Sequence, residues 1–211
     1  MSKKRSLDEA MALSPVMPIV VIDDAGAAGE LAEALLAGGV KVIEVTLRTP
    51  AALDAIREIK KAAPEMSVGA GTVLTPRDVG RAADAGAEFL VTPGINGPLL
   101  EALFTLRMAC LPGVATPSEV SGMLARGMTR LKFFPAEQSG GAAWLAAMAG
   151  PFPDAVFCPT GGISRELAPD YLKLPNVACV GGSWVAPAKA IEARDWATIT
   201  ENARAAMALA S

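Results

Sequence analysis

Short apolar runs of strand character alternate with alanine-rich amphipathic stretches along nearly the whole chain, and no linker or low-complexity segment breaks the rhythm. The alternation predicts strands at Met17–Ile22, Lys41–Thr46, Ser67–Thr72, Glu88–Thr92, Met108–Leu111, Arg130–Phe134, Ala155–Cys158 and Val177–Val180. Helical patterns cover Glu30–Leu36, Ala51–Ala62, Pro76–Ala85, Pro98–Leu106, Ser118–Ala125, Ala142–Met148, Arg165–Leu172 and Trp196–Leu209. Thr49-Pro50, Thr75-Pro76 and Thr116-Pro117-Ser118 stand at helix starts, and Gly38-Gly39, Gly86 and Gly127 near helix ends, as capping preferences require. Eight strand–helix units in 211 residues predict one α/β domain, a closed parallel (β/α)8 barrel of the TIM type with its helices outside. An open doubly wound sheet is the alternative, but it usually announces itself with a Gly-x-Gly-x-x-Gly turn after the first strand. Asp23-Asp24-Ala25-Gly26 is not that turn. Leu7–Leu13 reads as an extra N-terminal helix, about residues 6–13, closing the bottom of the barrel.

Composition narrows the class. A chain 52% hydrophobic and 19% charged has the means to bury a large core, and a formal charge of -3 argues against a general nucleic-acid binder. No apolar run reaches the length a bilayer needs and no apolar signal core develops, so a cytoplasmic protein without a membrane partner is expected. The basic start at Lys3, Lys4 and Arg5, followed by Asp8 and Glu9, reads as a solvated terminus. Cys110, Cys158 and Cys179 each fall in a predicted strand, not in a spaced pair, and are expected to be buried reduced thiols. Met123 and Met128 read as core or subunit-contact filler.

The chain contains no histidine. A His-dependent serine triad, a Cys–His dyad and any His metal site are therefore excluded, leaving chemistry to Lys, carboxylates, hydroxyls, Arg and backbone amides. Against that background Lys132 stands out, set in the apolar run Leu131-Lys132-Phe133-Phe134-Pro135. Burying an ammonium is costly, and burial favours the neutral amine, which forms Schiff bases with carbonyl compounds. Side-chain parity places Leu131 and Phe133 against the helices and Lys132 with Phe134 inside. In Val42-Ile43-Glu44-Val45-Thr46-Leu47-Arg48 the same reasoning turns Ile43, Val45 and Leu47 outward, and Glu44 and Arg48 toward the interior or its rim. A structural ion pair between Lys132 and Glu44 is the competing reading. Glu44 is the natural proton carrier beside an imine, and a guanidinium at Arg48 suits two-point contact with a carboxylate. Thr72 ends the glycine-rich Gly69-Ala70-Gly71-Thr72, where a ligand can approach the backbone or where a plain turn follows a strand. Pro159-Thr160-Gly161-Gly162-Ile163-Ser164 after the seventh predicted strand and Gly181-Gly182-Ser183-Trp184 after the eighth suggest phosphate held by backbone amides and a short helix N-terminus.

Two segments, Gly39–Arg48 and Gly127–Ala136, resemble the signature segments of the 2-keto-3-deoxy-6-phosphogluconate aldolase family. Gly69–Leu74, Phe89–Gly94, Pro112–Glu119 and Pro159–Ile163 extend the resemblance, which runs from about Pro18 to Ala186. It implies a trimeric class I pyruvate aldolase that needs no metal or other cofactor. Its substrate would be a small phosphorylated 2-keto acid, cleaved to pyruvate and glyceraldehyde 3-phosphate, with 4-hydroxy-2-oxoglutarate often accepted too. It further implies Lys132 as the Schiff-base lysine and Glu44 as an acid/base residue working through a water. Arg48 and Thr72 would hold the pyruvate carboxylate beside the Pro93-Gly94 turn, and Phe134 would pack on the substrate. Thr160 would touch hydroxyls of the cleaved portion, while Gly161, Gly162, Gly182 and Ser183 would hold the phosphate. The competing functions are an aldolase for the 6-phosphogalactonate epimer, a phosphosugar isomerase or decarboxylase, and a non-catalytic phosphometabolite-binding protein.

Overall fold

A computed structural model describes residues 5–210; Lys3 and Lys4 of the basic start lie outside the described residues. The chain opens with α1 (Leu7–Met11), β1 (Val16–Val20), α2 (Ala28–Ala37), β2 (Val42–Thr46), α3 (Ala52–Ala62), β3 (Ser67–Gly71), α4 (Pro76–Asp84), β4 (Phe89–Val91) and α5 (Gly97–Leu106). It continues through β5 (Ala109–Leu111), β6 (Gly113–Val114), α6 (Pro117–Leu124), β7 (Arg130–Phe133), α7 (Gly141–Met148), β8 (Val156–Pro159), α8 (Ala168–Leu172), β9 (Val180–Gly182), α9 (Ala188–Glu192) and α10 (Trp196–Met207). Every pairing is parallel, in the orders β5-β4-β3-β2-β1-β9 and β6-β7-β8, so the architecture is α/β with parallel strands in a curled sheet.

The ladder changes where the sequence cannot sustain it. The fifth predicted strand, Met108–Leu111, is found as β5, and past Pro112, which has no amide proton, the chain goes on as a further short strand, β6, that was not predicted. The Pro112 carbonyl accepts from Lys132 N–H at 2.9 Å. The eighth predicted strand, Val177–Val180, is corrected to β9 at Val180–Gly182. Phe157 bridges Val177 while Thr160 bridges Gly181, so the later segment carries one extra residue between the two bridges. That step interrupts the ladder beside β8, and β9 takes its register from β1 through Val16↔Val180 and Pro18↔Gly182. Gly181 and Gly182 are thus strand residues, not the loop after a strand. α8 likewise starts at Ala168, later than the predicted Arg165, leaving Gly161–Leu167 outside any helix.

Two of the three predicted Thr-Pro helix starts hold, but Thr49-Pro50 does not: α3 starts at Ala52 with Ala51 as an N-cap that makes no side-chain hydrogen bond. Thr75 and Thr116 are N-caps with reciprocal capping boxes to Asp78 and Glu119, each followed by proline in the first turn. Two apolar layers result. Ile43, Val45, Leu131 and Phe133 pack outward into the large cluster shared with the helices, and Phe133 stacks on Trp144 of α7 at 4.3 Å between ring centroids. Burial of this kind contributes roughly 1.5–3 kcal/mol per large side chain, which fixes which face of β7 looks inward. Met17, Val42, Phe89, Val91, Leu111, Cys158 and Cys179 form a second, inner cluster together with Ala10 and Met11 of α1.

Candidate active site

Outward anchoring of Leu131 and Phe133 leaves Lys132 on the inner face of β7, between Gly113 of β6 and Cys158 of β8. Glu44 reaches the same interior from β2, whose neighbours in register are Ile19 and Gly69. Both are almost wholly buried, Lys132 at 6% exposure and Glu44 at 2%. The Lys132 Nζ to Glu44 Oε1 separation is 3.5 Å. That is longer than the 2.7–2.9 Å of a good charge-assisted hydrogen bond, and among the described residues Glu44 Oε1 has no hydrogen-bond partner. An amine and a carboxylate so placed are close enough to exchange a proton through a small intermediary but are not locked together. Phe134, two residues on along the same face, stands with its ring centroid 5.1 Å from Lys132 Nζ.

The space beside Glu44 exists because of a glycine. A Cβ on Gly71 would lie 2.7 Å from Glu44 Cδ and Cγ and nearer still to Oε1. Cys158 of β8, level with Lys132, and Cys179 lie in the inner apolar layer, and Cys110 in the outer one. Burial pushes the Cys110 thiol up, Lys132 partly opposing it, while the hydrogen bond that the Cys179 thiol donates to Cys158, then burial and the charge of Glu44, push Cys179 up. All three cysteines are free and buried.

Above the pair opens a cavity of about 480 Å³ lined by Ile19, Arg48, Phe134, Thr160 and Trp184 with Gly161–Ser164, Gly181 and Ser183. Arg48 is exposed and makes no hydrogen bond or ion pair among the described residues. Its neighbours hold the rim: Thr46 Oγ1 donates to the Val20 carbonyl at 2.9 Å and Thr49 Oγ1 to that of Ile22. Gly161 and Gly162 adopt φ of 106° and 79°, a region costly for any other residue, so their conformation needs glycine. Thr72 follows β3 at φ 57°, a strained geometry for a β-branched residue. Half-buried Pro93 follows β4, and the tight approach of Gly113 to the Thr92 carbonyl, 2.7 Å from a would-be Cβ, fixes that turn.

Of the residues singled out from sequence, Arg48, Phe134, Thr160, Gly161, Gly162 and Ser183 line one cavity, and Lys132 and Glu44 pair below Phe134. Thr72, Pro93, Gly94 and Gly182 are not lining residues of that cavity. Ile19, Ile163, Ser164, Gly181 and Trp184 line it without having been assigned a role from sequence. Ile19 was accessible to parity on the first strand, whereas Trp184 gave no polar signal at all.

A buried amine and carboxylate under an arginine-rimmed cavity, on a parallel α/β scaffold, define the class: a carbon–carbon lyase of the aldolase type. The family model for KDPG and KHG aldolases matches residues 7–202, and the chain belongs to that family. It is 48% identical over 204 residues to a KHG/KDPG aldolase of Escherichia coli strain K12, covering 97% of this chain and 96% of that one. Among solved structures, the 2-keto-3-deoxy-6-phosphogluconate aldolase of Zymomonas mobilis ATCC 29191 superposes with TM-score 0.92 at 48% identity, covering 97% and 98% of the two chains. The KDPG aldolase of Legionella pneumophila, with pyruvate captured as a covalent carbinolamine intermediate, gives 0.94 at 45% identity, covering 97% and 100%.

Proposed function

We propose that this chain is a class I aldolase that cleaves 2-keto-3-deoxy-6-phosphogluconate to pyruvate and glyceraldehyde 3-phosphate through an imine on Lys132, and 4-hydroxy-2-oxoglutarate to pyruvate and glyoxylate by the same route. One observation carries it: a buried amine 3.5 Å from a buried carboxylate oxygen that accepts no hydrogen bond, below a cavity rimmed by an arginine that, among the described residues, makes no ion pair. The neutral Lys132 amine adds to the C2 ketone, and Glu44, through a water, moves protons as the carbinolamine loses water to give the imine. The cationic imine accepts the electron pair of the C3–C4 bond as the C4 hydroxyl proton leaves, so the aldehyde departs and an enamine remains. Protonation of its methylene carbon through Glu44 and hydrolysis then release pyruvate and restore the lysine. Arg48 and Thr72, with the Pro93-Gly94 turn, hold the carboxylate; Phe134 covers the substrate and Thr160 meets its hydroxyls. Gly161, Gly162, Gly182 and Ser183 receive the phosphate.

The reading extends to the whole scaffold. The bridges Phe157↔Val177 and Thr160↔Gly181 join β8 to β9, and β5 runs into β6 across Pro112, which supports one domain closed as an eight-stranded barrel with α1 against its lower end. We take the enzyme to be metal-independent, cytoplasmic and a homotrimer. Among the described residues no helix is long and apolar enough to cross a membrane.

Borohydride reduction in the presence of pyruvate tests the central claim. Wild-type protein should gain the mass of a reduced three-carbon adduct, and Lys132→Ala should gain none. An adduct that persists in Lys132→Ala, or that never forms in wild type, refutes the imine route. Assaying both epimers of the phosphorylated acid decides between the gluconate and galactonate readings.

A further inference from the structure

The segment that leaves the lysine strand, Pro135–Ser139, runs beside the glycine loop. Ala136 N–H donates to the Thr160 carbonyl at 2.8 Å and Glu137 N–H to that of Gly161 at 3.1 Å. The stem of Glu137 also lies against Gly162, where an added Cβ would stand 2.9 Å from both Glu137 Cβ and Cγ. The far end of the same side chain accepts a hydrogen bond from Tyr171 Oη on α8. Tyr171 is buried in the outer core at 1% exposure, and Gly141, at φ 61°, leaves room for the pair, its would-be Cβ 3.3 Å from Tyr171 Oη. Burial first, and then the hydrogen bond and charge of Glu137, push the phenol's pKa up, so it stays a donor.

A carboxylate beside an anion-receiving loop is unfavourable unless its position is fixed, because a loose one would swing toward the phosphate and repel it. Here the chain spends a glutamate at that spot and ties it to a buried phenol. We propose that Glu137 and Tyr171 form a positioning pair that holds Gly161–Gly162 in the shape that receives a phosphate, and thereby sets the preference for phosphorylated over unphosphorylated 2-keto acids. The proposal deepens the aldolase reading and rests on it. The two side chains act through the loop, since Gly161 and Gly162 line the cavity and they do not.

The test compares two substrates that share a reacting end, 2-keto-3-deoxy-6-phosphogluconate and 4-hydroxy-2-oxoglutarate. Tyr171→Phe, which keeps the ring in the core, and Glu137→Ala should each raise KM for the phosphorylated substrate by about tenfold, the scale of one lost hydrogen bond to a charged group. Each should weaken inhibition by inorganic phosphate to a similar extent, with kcat and the KM for 4-hydroxy-2-oxoglutarate within about twofold of wild type. Glu137→Gln keeps an acceptor for the phenol and should restore near-wild-type KM. Thermal denaturation of every variant is read alongside. Equal shifts in both KM values, unchanged KM for the phosphorylated acid, or Glu137→Gln behaving like Glu137→Ala each overturn the pair. Absence of a pyruvate adduct in borohydride-treated wild type sinks the aldolase reading and this proposal together, whereas an intact adduct without the KM split sinks the pair alone.

Discussion

Gly71→Ala is the most informative single substitution, because it perturbs Glu44 without touching it. Gly71 lies in β3 with no positive φ, so its backbone accepts alanine; only space is at issue. The new methyl would meet Glu44 Cδ and Cγ at 2.7 Å, where ordinary contact begins at 3.4 Å, and the carboxylate oxygen is closer still. Glu44 must therefore retreat by roughly 1 Å, and a misplacement of that size at a catalytic group costs on the order of 100-fold in rate. Overpacking should cost about 1–3 kcal/mol of stability as well. The control is Gly69→Ala on the same strand, at the position in register with Glu44; its methyl would strike the Phe89 ring first, closest at Cε2 and Cζ, and so loads the inner apolar layer instead of the carboxylate. Both variants should unfold at lower temperature, but only Gly71→Ala should lose about 100-fold in kcat, followed as pyruvate release coupled to lactate dehydrogenase, with slowed borohydride trapping. Equal kcat losses in the two variants, or a Gly71→Ala enzyme within about twofold of wild type, would refute the claim that the position of Glu44 sets the rate.

Arg48→Lys keeps the charge but loses the planar fork, so KM for the 2-keto acid should rise about tenfold with a smaller change in kcat; an unchanged KM removes Arg48 from carboxylate recognition. Thr72→Gly should relieve the strain of φ 57° and stabilise the fold by about 1 kcal/mol relative to Thr72→Ala in chemical denaturation, although both lose the hydroxyl and weaken pyruvate binding. Thr72→Gly less stable than Thr72→Ala would show that no strain resides there. Glu119 caps α6 by accepting from the amides of Ala115 and Thr116, and the Ala115 amide, ahead of the Thr116 hydroxyl and amide, lowers its pKa below the usual 4.5. A depressed carboxylate stabilises the fold above its unfolded pKa and loses that contribution as pH falls through the folded one. The stability gap between wild type and Glu119→Gln should thus be constant from neutral pH down to about 4.5 and close below it; a gap that persists in acid contradicts the assignment.

How far the sequence could be read depended on whether a feature was set within one strand or between several. Parity is local: Leu131 and Phe133 outward forces Lys132 inward, and Ile43 with Val45 outward forces Glu44 to meet it, so the central pair was legible before any coordinates. Register is not local. The extra residue between the two bridges of β8 and the β9 segment is written in the pairing of distant chain segments, so Gly181-Gly182 read as a loop although β1 holds them as strand. Backbone strain escapes pattern reading too, since the propensity of threonine for strands ran Ser67–Thr72 one residue past the point where the chain turns left-handed. Glycine was informative where it was paired and silent where it was single. Gly161-Gly162 announced a loop, but Gly71 looked like a weak strand residue until the carboxylate that fills its missing side chain was placed beside it. Catalytic groups can be inferred from their own chemistry, whereas the residues that make room for them can be inferred only from what they would otherwise strike. The placement of a buried carboxylate whose Oε1 accepts no hydrogen bond among the described residues is therefore as much a property of Gly71 as of Glu44, and a chain that kept every proposed site residue but filled that space would lose the geometry the proposed reaction depends on.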